Sequence, residues 1–301
     1  MSTTFSISAR QAYGIARVCR VWGVSRASYY RRTGPAPEAA NQSMRRGPVG
    51  AMPDGDLVSQ IAQLIEDSPF HGEGYRKMWA RLRHKRVFTS QERVRRLMRE
   101  HNLLAWLGQG TPRGSKAHDG TIISQTIDTM WGTDMTTTVT LEEGQAAVFI
   151  GYDHCSGECV GIHASRGQNR WEALEPIRQG VKDYFGTARE NIAEGLSLRH
   201  DHGTQYMAHD FQKEIKWLGI KSSPAFVRMP ECNGCAERFI RTLKENLLWV
   251  RHFKPIEELR LALLKFRQIY NEHCIMHRHN NETPRNSEGI LSTIAQWQRK
   301  H

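Results

Sequence analysis

The sequence predicts an α/β chain in which a domain of mixed strands and helices follows small all-α units. Three observations carry that expectation. Residues 126 to 252 alternate Thr-, Val- and Ile-rich stretches with amphipathic helical stretches. In residues 1–33 and 56–108 the apolar positions recur at helical spacing instead, and Gly- and Pro-rich stretches separate these regions.

Composition sets the outer limits. A chain of 301 residues can form two or three compact units, and 39% hydrophobic with 24% charged residues describes a globular protein. No apolar run approaches the ~18 residues of a membrane span, and the N-terminus lacks an apolar signal core, so a cytoplasmic, nucleoid-associated protein is expected without a membrane partner. The formal charge of +11 is not spread evenly: the first 120 residues hold 20 Lys and Arg against nine Asp and Glu, which accounts for the whole excess. A solvated basic face is the plain reading. An electrostatic footprint for double-stranded DNA is the better one where helical motifs carry the charge.

Residues 1–33 read as a helix-turn-helix segment. Ile15, Ala16, Cys19 and Trp22 mark one helix, Gly23 and Val24 a turn, and Ser25 the cap of a second helix. Arg26, Tyr30 and Arg31 on that second helix are the candidate DNA contacts, although a helical hairpin used for packing has the same pattern. Residues 34–55 form a Gly/Pro/Ala-rich linker holding Arg45 and Arg46. Residues 56–108 form a second helical unit. In it Ser90 caps a helix whose inner stripe is Val94, Leu97 and Met98, leaving Arg95, Arg96 and Arg99 as candidate DNA contacts. Residues 109–125 are a basic linker, residues 126–252 the α/β domain and residues 253–301 a C-terminal helical extension with Leu259, Leu263 and Phe266 on one face.

Within the α/β domain, three acids stand where a core has no need of them. Asp134 lies mid-strand in QTIDTMWGTDMTTTVTL. Asp201 leaves the strand after Leu196–Leu198 and precedes Gly203 in a tight turn. Glu237 opens a long helical pattern in which Ala236, Ile240, Leu243, Leu247 and Val250 recur, with Arg241 and Lys244 stacked beside it at i+4 and i+7. Carboxylates delivered by two strands and a helix can converge on a pair of divalent cations about 3.5–4 Å apart, the arrangement that clamps the two oxygens of a phosphodiester exchange. Oxygen ligands favour Mg²⁺ or Mn²⁺.

The segments WGTDMT, DHGTQY and NGCAERFIRTLKENL resemble the catalytic motifs of bacterial insertion-sequence transposases of the retroviral-integrase superfamily, nearest to the insertion-sequence three group. The 35 residues between Asp201 and Glu237, the Gly203, Gln205 and Tyr206 after the second acid and the base seven residues after the Glu all coincide with it. That resemblance implies a ribonuclease-H-like core with a mixed five-stranded sheet. It implies Asp134, Asp201 and Glu237 as the catalytic, metal-binding DDE triad for two Mg²⁺ or Mn²⁺ ions, with Lys244 and Arg241 as DNA contacts. It also implies a winged-helix-like segment ahead of the core. The implied activity is strand cleavage and strand transfer joining the element's terminal repeats to target DNA. The implied partners are further copies in a synaptic complex and, by fusion or association, an upstream-frame protein. A DNA-binding regulator that has lost catalysis is the alternative, which would not need the triad. A plain nuclease would not need the basic helical units.

Other acids compete for these roles, and the cysteines suggest a rival metal site. Asp153 sits at a strand end. Asp210 and Glu245 have nearly the right spacing but begin from a helix, and Glu231 lies on the loop before Glu237. His200 and His202 flank Asp201 and read as exposed turn histidines. Cys232 and Cys235 form a CxxC for which Cys155, Cys159 and His163 are conceivable zinc partners, but no second well-spaced pair exists, so the six cysteines read as reduced buried or loop residues.

Overall fold

A computed structural model describes residues 10–33, 52–105, 124, 126–225 and 234–286. Most of both expected linkers, with Arg45 and Arg46, lies outside those residues, as do Glu231, Cys232 and the end of the chain. The chain divides into two compact units, Met1–Ala51 and Met52–His301.

The first unit carries α1 (Ile15–Val21) and α2 (Arg26–Thr33). Their turn closes where Val24 N–H donates to Cys19 O (2.9 Å), and Ser25 Oγ caps α2 by accepting from Ser28 N–H (3.1 Å). Cys19 is the buried residue of the pair.

The second unit begins with α3 (Asp54–Asp67), α4 (Tyr75–His84) and α5 (Gln91–Glu100). Leu57, Ile61, Met78, Leu82, Val94 and Met98 form their common core at helical spacing. Ser90 caps α5 through Arg93 N–H (3.2 Å). The wing implied by resemblance has no counterpart among the described residues here: residues 52–105 contain helices and turns but no strand.

A five-stranded sheet comes next, with β1 (Met130–Thr140), β2 (Gly144–Asp153), β3 (Cys159–Ser165), β4 (Ser197–His200) and β5 (Lys221–Pro224) in the order β3-β2-β1-β4-β5. The first three strands are an antiparallel meander, while β1–β4 and β4–β5 pair in parallel. This is the mixed sheet expected of a ribonuclease-H-like core. Helix α6 (Arg170–Tyr184) lies between β3 and β4, α7 (Thr204–Met207) and α8 (His209–Trp217) lie between β4 and β5, and α9 (Gly234–Leu243) and α10 (Ile256–His273) follow.

Both faces of the sheet are covered, which is why β2 is buried almost throughout. The two-residue period sorts its side chains: Ala147 and Phe149 join Trp131 and Leu198 against α6 and α8, while Ala146, Val148, Ile150 and Tyr152 meet α9 and α10. The sequence pattern assigns α10 to a separate extension. Instead it buries Leu259, Leu263, Phe266 and Tyr270 in that second layer, so the helix is part of the α/β core. Its arginines also cover the sheet's edge, Arg267 donating to Cys159 O (2.9 Å) and Arg260 to Ala164 O (2.7 Å), and this occupies carbonyls that an open β3 edge would offer to another strand.

The helical unit docks on this core. Phe70, in the turn between α3 and α4, packs edge-on against Phe266 and Tyr270, and Arg81 donates to His273 O (3.3 Å).

Gly161 lets β3 approach α6. A Cβ there would lie 1.9 Å from the backbone oxygen of Pro176, a contact that no side-chain movement can relieve. Gly161→Ala should therefore cost about 2–3 kcal/mol in urea unfolding. Gly55→Ala, in the first turn of α3 with nothing within 4 Å of the new Cβ, should be neutral or stabilising by up to ~1 kcal/mol. Equal effects would show that the β3–α6 approach is not a constraint.

Candidate active site

Strand parity decides which face of the sheet each acid serves. Odd-numbered Trp131 and Met135 lie on the α6 side of β1, so even-numbered Asp134 lies on the α9 side. β4 pairs in parallel with β1, Gly132 opposite Arg199, and two residues further along each chain come Asp134 and Asp201. Glu237 is in the first turn of α9, whose buried stripe Ala236, Phe239, Ile240 and Leu243 turns Glu237 outward. Asp134, Glu237, Arg241, Lys244, Glu245 and Trp249 line one open cleft of about 610 Å³.

Asp134 is half-buried, whereas Asp201 and Glu237 are exposed. Burial pushes the Asp134 carboxyl up to about 6, and the charges of Asp201 and Glu237 push the same way. Met135 N–H, which donates to Asp134 Oδ1 (2.8 Å), and Lys244 oppose that shift. The three expected acids are thus brought within mutual electrostatic reach, with Lys244 beside them. Arg241 faces the cleft but pairs with Glu245 (2.8 Å).

The turn at Asp201 is held by its own carboxylate, whose Oδ1 accepts from Gly203 N–H (2.8 Å). A Cβ at Gly203 would sit 2.8 Å from that oxygen, so a larger residue there would have to displace the carboxylate. His200 corrects the sequence reading. It has the opposite parity to Asp201, so it is fully buried against Tyr206 and Phe211. Its Nδ1 lies 2.7 Å from Asp201 O and its Nε2 2.9 Å from Ser222 Oγ, while burial holds its pKa below the ordinary value. His202 is exposed, as expected.

In the sequence Tyr206 stands out only as a motif residue. Its ring is fully buried, and burial together with the charges of Asp134 and Asp201 raises its phenol strongly. It therefore stays neutral beneath the acids. The motif places it, but only tertiary packing shows why an aromatic belongs there.

The rival acids have other partners. Asp153 is buried as the cap of the β2–β3 turn, accepting from Ser156 N–H (2.6 Å) and Ser156 Oγ (2.9 Å), with its carboxyl raised by burial to about 6. Asp210 pairs with Arg170 (2.6 Å). Cys155 and Cys159 are buried thiols pushed up to about 11 and about 12 by burial, and His163 lies 2.7 Å from Glu172, so these three do not converge.

The candidate DNA contacts differ in their freedom. Arg26, Tyr30 and Arg31 are exposed on α2, and Arg99 is exposed on α5. Arg96 is not free: it bridges Asp54 (2.8 Å) and Glu100 (2.8 Å). Arg95 is half-buried, 3.4 Å from Glu92 with its guanidinium over the Tyr75 ring.

Among the described residues no three His, Cys, Asp or Glu side chains are drawn into a ligating cluster. The oxygen-only donor set of Asp134, Asp201 and Glu237 nonetheless fits a hard divalent cation, since burial and the neighbouring acids raise Asp134 and such an ion would favour its charged form.

Residues 54–107 match the family described as HTH-like domain and residues 218–284 the integrase core domain. The transposase InsD for insertion element IS2A/D/F/H/I/K of Escherichia coli is 26% identical over 201 residues, 65% of this chain and 65% of that protein. The chain thus carries an HTH-like domain followed by an integrase core domain, and its similarity is to insertion-sequence transposases. The match leaves about a third of the relatives' length unspanned. The similarity to InsD agrees with the insertion-sequence three group that the motifs resemble. Among solved structures, the HTLV-2 integrase catalytic core domain in complex with magnesium is 17% identical, with a TM-score of 0.41 covering 54% of this chain and 97% of that one. A simian T-cell lymphotropic virus intasome chain, in complex with PP2A regulatory subunit B56 gamma, is 15% identical with a TM-score of 0.47 over 69% and 73%. The integrase-core match runs through α9 and α10, the helices that share one core layer.

Asp134 gives the site a pH signature. Its folded pKa of about 6 exceeds the ordinary 3.8, so the folded state holds the proton more tightly. The associated stability is present in acid and is lost as pH rises from about 4 to about 6. In metal-free buffer Asp134→Asn should match the native chain at pH 4 and exceed it by roughly 2–3 kcal/mol at pH 8. Asp153 titrates in the same range but is common to both proteins. A urea-unfolding difference independent of pH would show that the Asp134 carboxyl is not raised in the folded chain.

Proposed function

We propose that this chain is a DDE transposase that cleaves DNA strands at the ends of a mobile insertion sequence and transfers the freed ends to target DNA. The observation that carries this reading is that Asp134 and Glu237 line one cleft with Lys244, while Asp201, just past the end of β4, lies close enough for its charge to act on Asp134. The three carboxylates would hold Mg²⁺ or Mn²⁺, two ions per site. When bound, those ions supply charge stabilisation and an acidified water or 3′-hydroxyl for in-line displacement. Asp134 brings the most desolvated carboxylate, and Asp201 is oriented by the Gly203 N–H. Lys244 and Arg241 would position phosphate along α9. Neutral Tyr206 supports the strand end from beneath without entering proton transfer.

Arg26, Tyr30 and Arg31 would read a DNA groove from α2, and Arg95 and Arg99 would meet backbone phosphate. Arg96 would do so only by exchanging a carboxylate partner for a phosphate. A cytoplasmic enzyme acting on the nucleoid, assembled as a homo-oligomer across two element ends and joined by an upstream-frame protein, completes the proposal.

The test is cleavage and joining of labelled DNA carrying the element's own ends, with the native chain compared with Glu237→Gln. Product should fall by about 100-fold or more while DNA binding survives. Separately, Mg²⁺ should raise the thermal midpoint of the native chain at pH 8 but not that of Asp134→Asn. Binding without product in either protein, with the upstream-frame fusion also inactive, would overturn the enzyme reading.

A further inference from the structure

The helix bearing Glu237 does not continue as the sequence periodicity suggests. After Leu243 it passes into a π-helical turn, Lys244–Leu248, closed by Trp249 N–H donating to Lys244 O (2.9 Å). In an unbroken α-helix, at about 100° per residue, Leu248 would lie within about 20° of Glu237 and Trp249 about 120° away. A π turn inserts one residue and swings the later residues back by about one residue's rotation. That puts Leu248 over the stripe of Ile240 and Leu243, and Trp249 within about 20° of Glu237. The burial agrees: Leu248 is 7% exposed in the core, while Trp249 is 69% exposed and lines the cleft with Asp134, Glu237 and Lys244. Val250, expected on the inner stripe, is displaced to 57% exposure.

An indole left in water beside carboxylates and cations contributes nothing to this chain's own core. We infer that Trp249 is a stacking platform for one nucleobase, unpaired from its partner, next to the phosphodiester that the acids act on. This rests on the DNA-processing function proposed above. Charge complementarity points to a nucleotide: Lys244 and Arg241 flank the indole on the same cleft and suit the phosphates either side of a base, while the ring offers the flat apolar face that any base can cover. The π turn is then the device that brings binding surface and acids onto one side of the helix.

The test is a double-mutant cycle with the full chain and pre-cleaved end DNA in Mg²⁺. Native protein, Trp249→Ala and Trp249→Phe are each measured on intact DNA and on DNA made abasic, one position at a time, at the nucleotides bordering the break. On intact DNA Trp249→Ala should weaken binding and joining by about 10- to 100-fold, and Trp249→Phe should recover most of it. At one abasic position the native chain should suffer the same loss and Trp249→Ala no further one. Thermal unfolding should be unchanged, since the indole is exposed. Equal losses on intact and abasic DNA at every position would overturn the inference. So would a Trp249→Ala protein that binds normally, or one whose defect is lost self-association in sedimentation, which would assign the indole to a second copy. Because the binding arm needs no turnover, a native chain that binds but never joins counts against the transposase reading alone.

Discussion

Burial of an ionisable group, Asp134, is the constraint around which this site is arranged. Asp134 is placed where burial and two neighbouring negative charges all oppose its ionisation, and Lys244 favours it. Such a site would relax if its elements could move apart. They are prevented from doing so by the sheet: Asp134 is mid-strand in the central β1, paired on both sides, and Asp201 leaves the strand bonded to it. Glu237 is fixed differently, by the rotation of α9 over the apolar layer of Val148, Ile150 and Tyr152. Burial of those large side chains contributes on the order of 1.5–3 kcal/mol each, enough to hold the charges in place.

The second constraint lies at the β2–β3 turn. Asn271 on α10 accepts from Cys159 N–H (2.9 Å) and donates to Cys159 O (3.0 Å) and Glu158 Oε1 (3.1 Å). Arg278 donates to His154 O (3.2 Å) and reaches Cys235 Sγ (3.8 Å) in the first turn of α9. The C-terminal segment therefore ties the β2–β3 turn to the helix that carries Glu237.

Strand parity explains what was legible in the sequence. An acid in the middle of a Thr- and Val-rich strand must face one sheet surface or the other, and an acid just past a strand before a glycine must sit at its end, so Asp134 and Asp201 could be singled out from local pattern alone. The helix from Arg170 to Tyr184 was legible for the same reason, since its period is local. Four features were not. The inserted π residue after Leu243 is invisible to a periodicity count, because Leu247 and Val250 satisfy an unbroken pattern equally well. His200 looks like a turn residue until β4 is seen to place it against Phe211. The partner of α10 cannot be read from its own stripe. Arg96 looks free because Asp54, which binds it, lies 42 residues away.

The docked helical unit gives the π turn a second consequence. Asn246, within that turn, donates to Thr242 O (2.9 Å) and accepts from His71 N–H (2.7 Å) in the turn between α3 and α4. The residue before it, Phe70, is seated among the rings of α10. In a regular helix the register that carries Asn246 toward Phe70 and His71 would differ, as it would for Trp249. One inserted residue thus aligns the helical unit, the cleft aromatic and the acidic end of α9. The distance from α5 to the carboxylates becomes a fixed property of the fold, and the short contacts at Phe70 and His71 set it without needing a long linker.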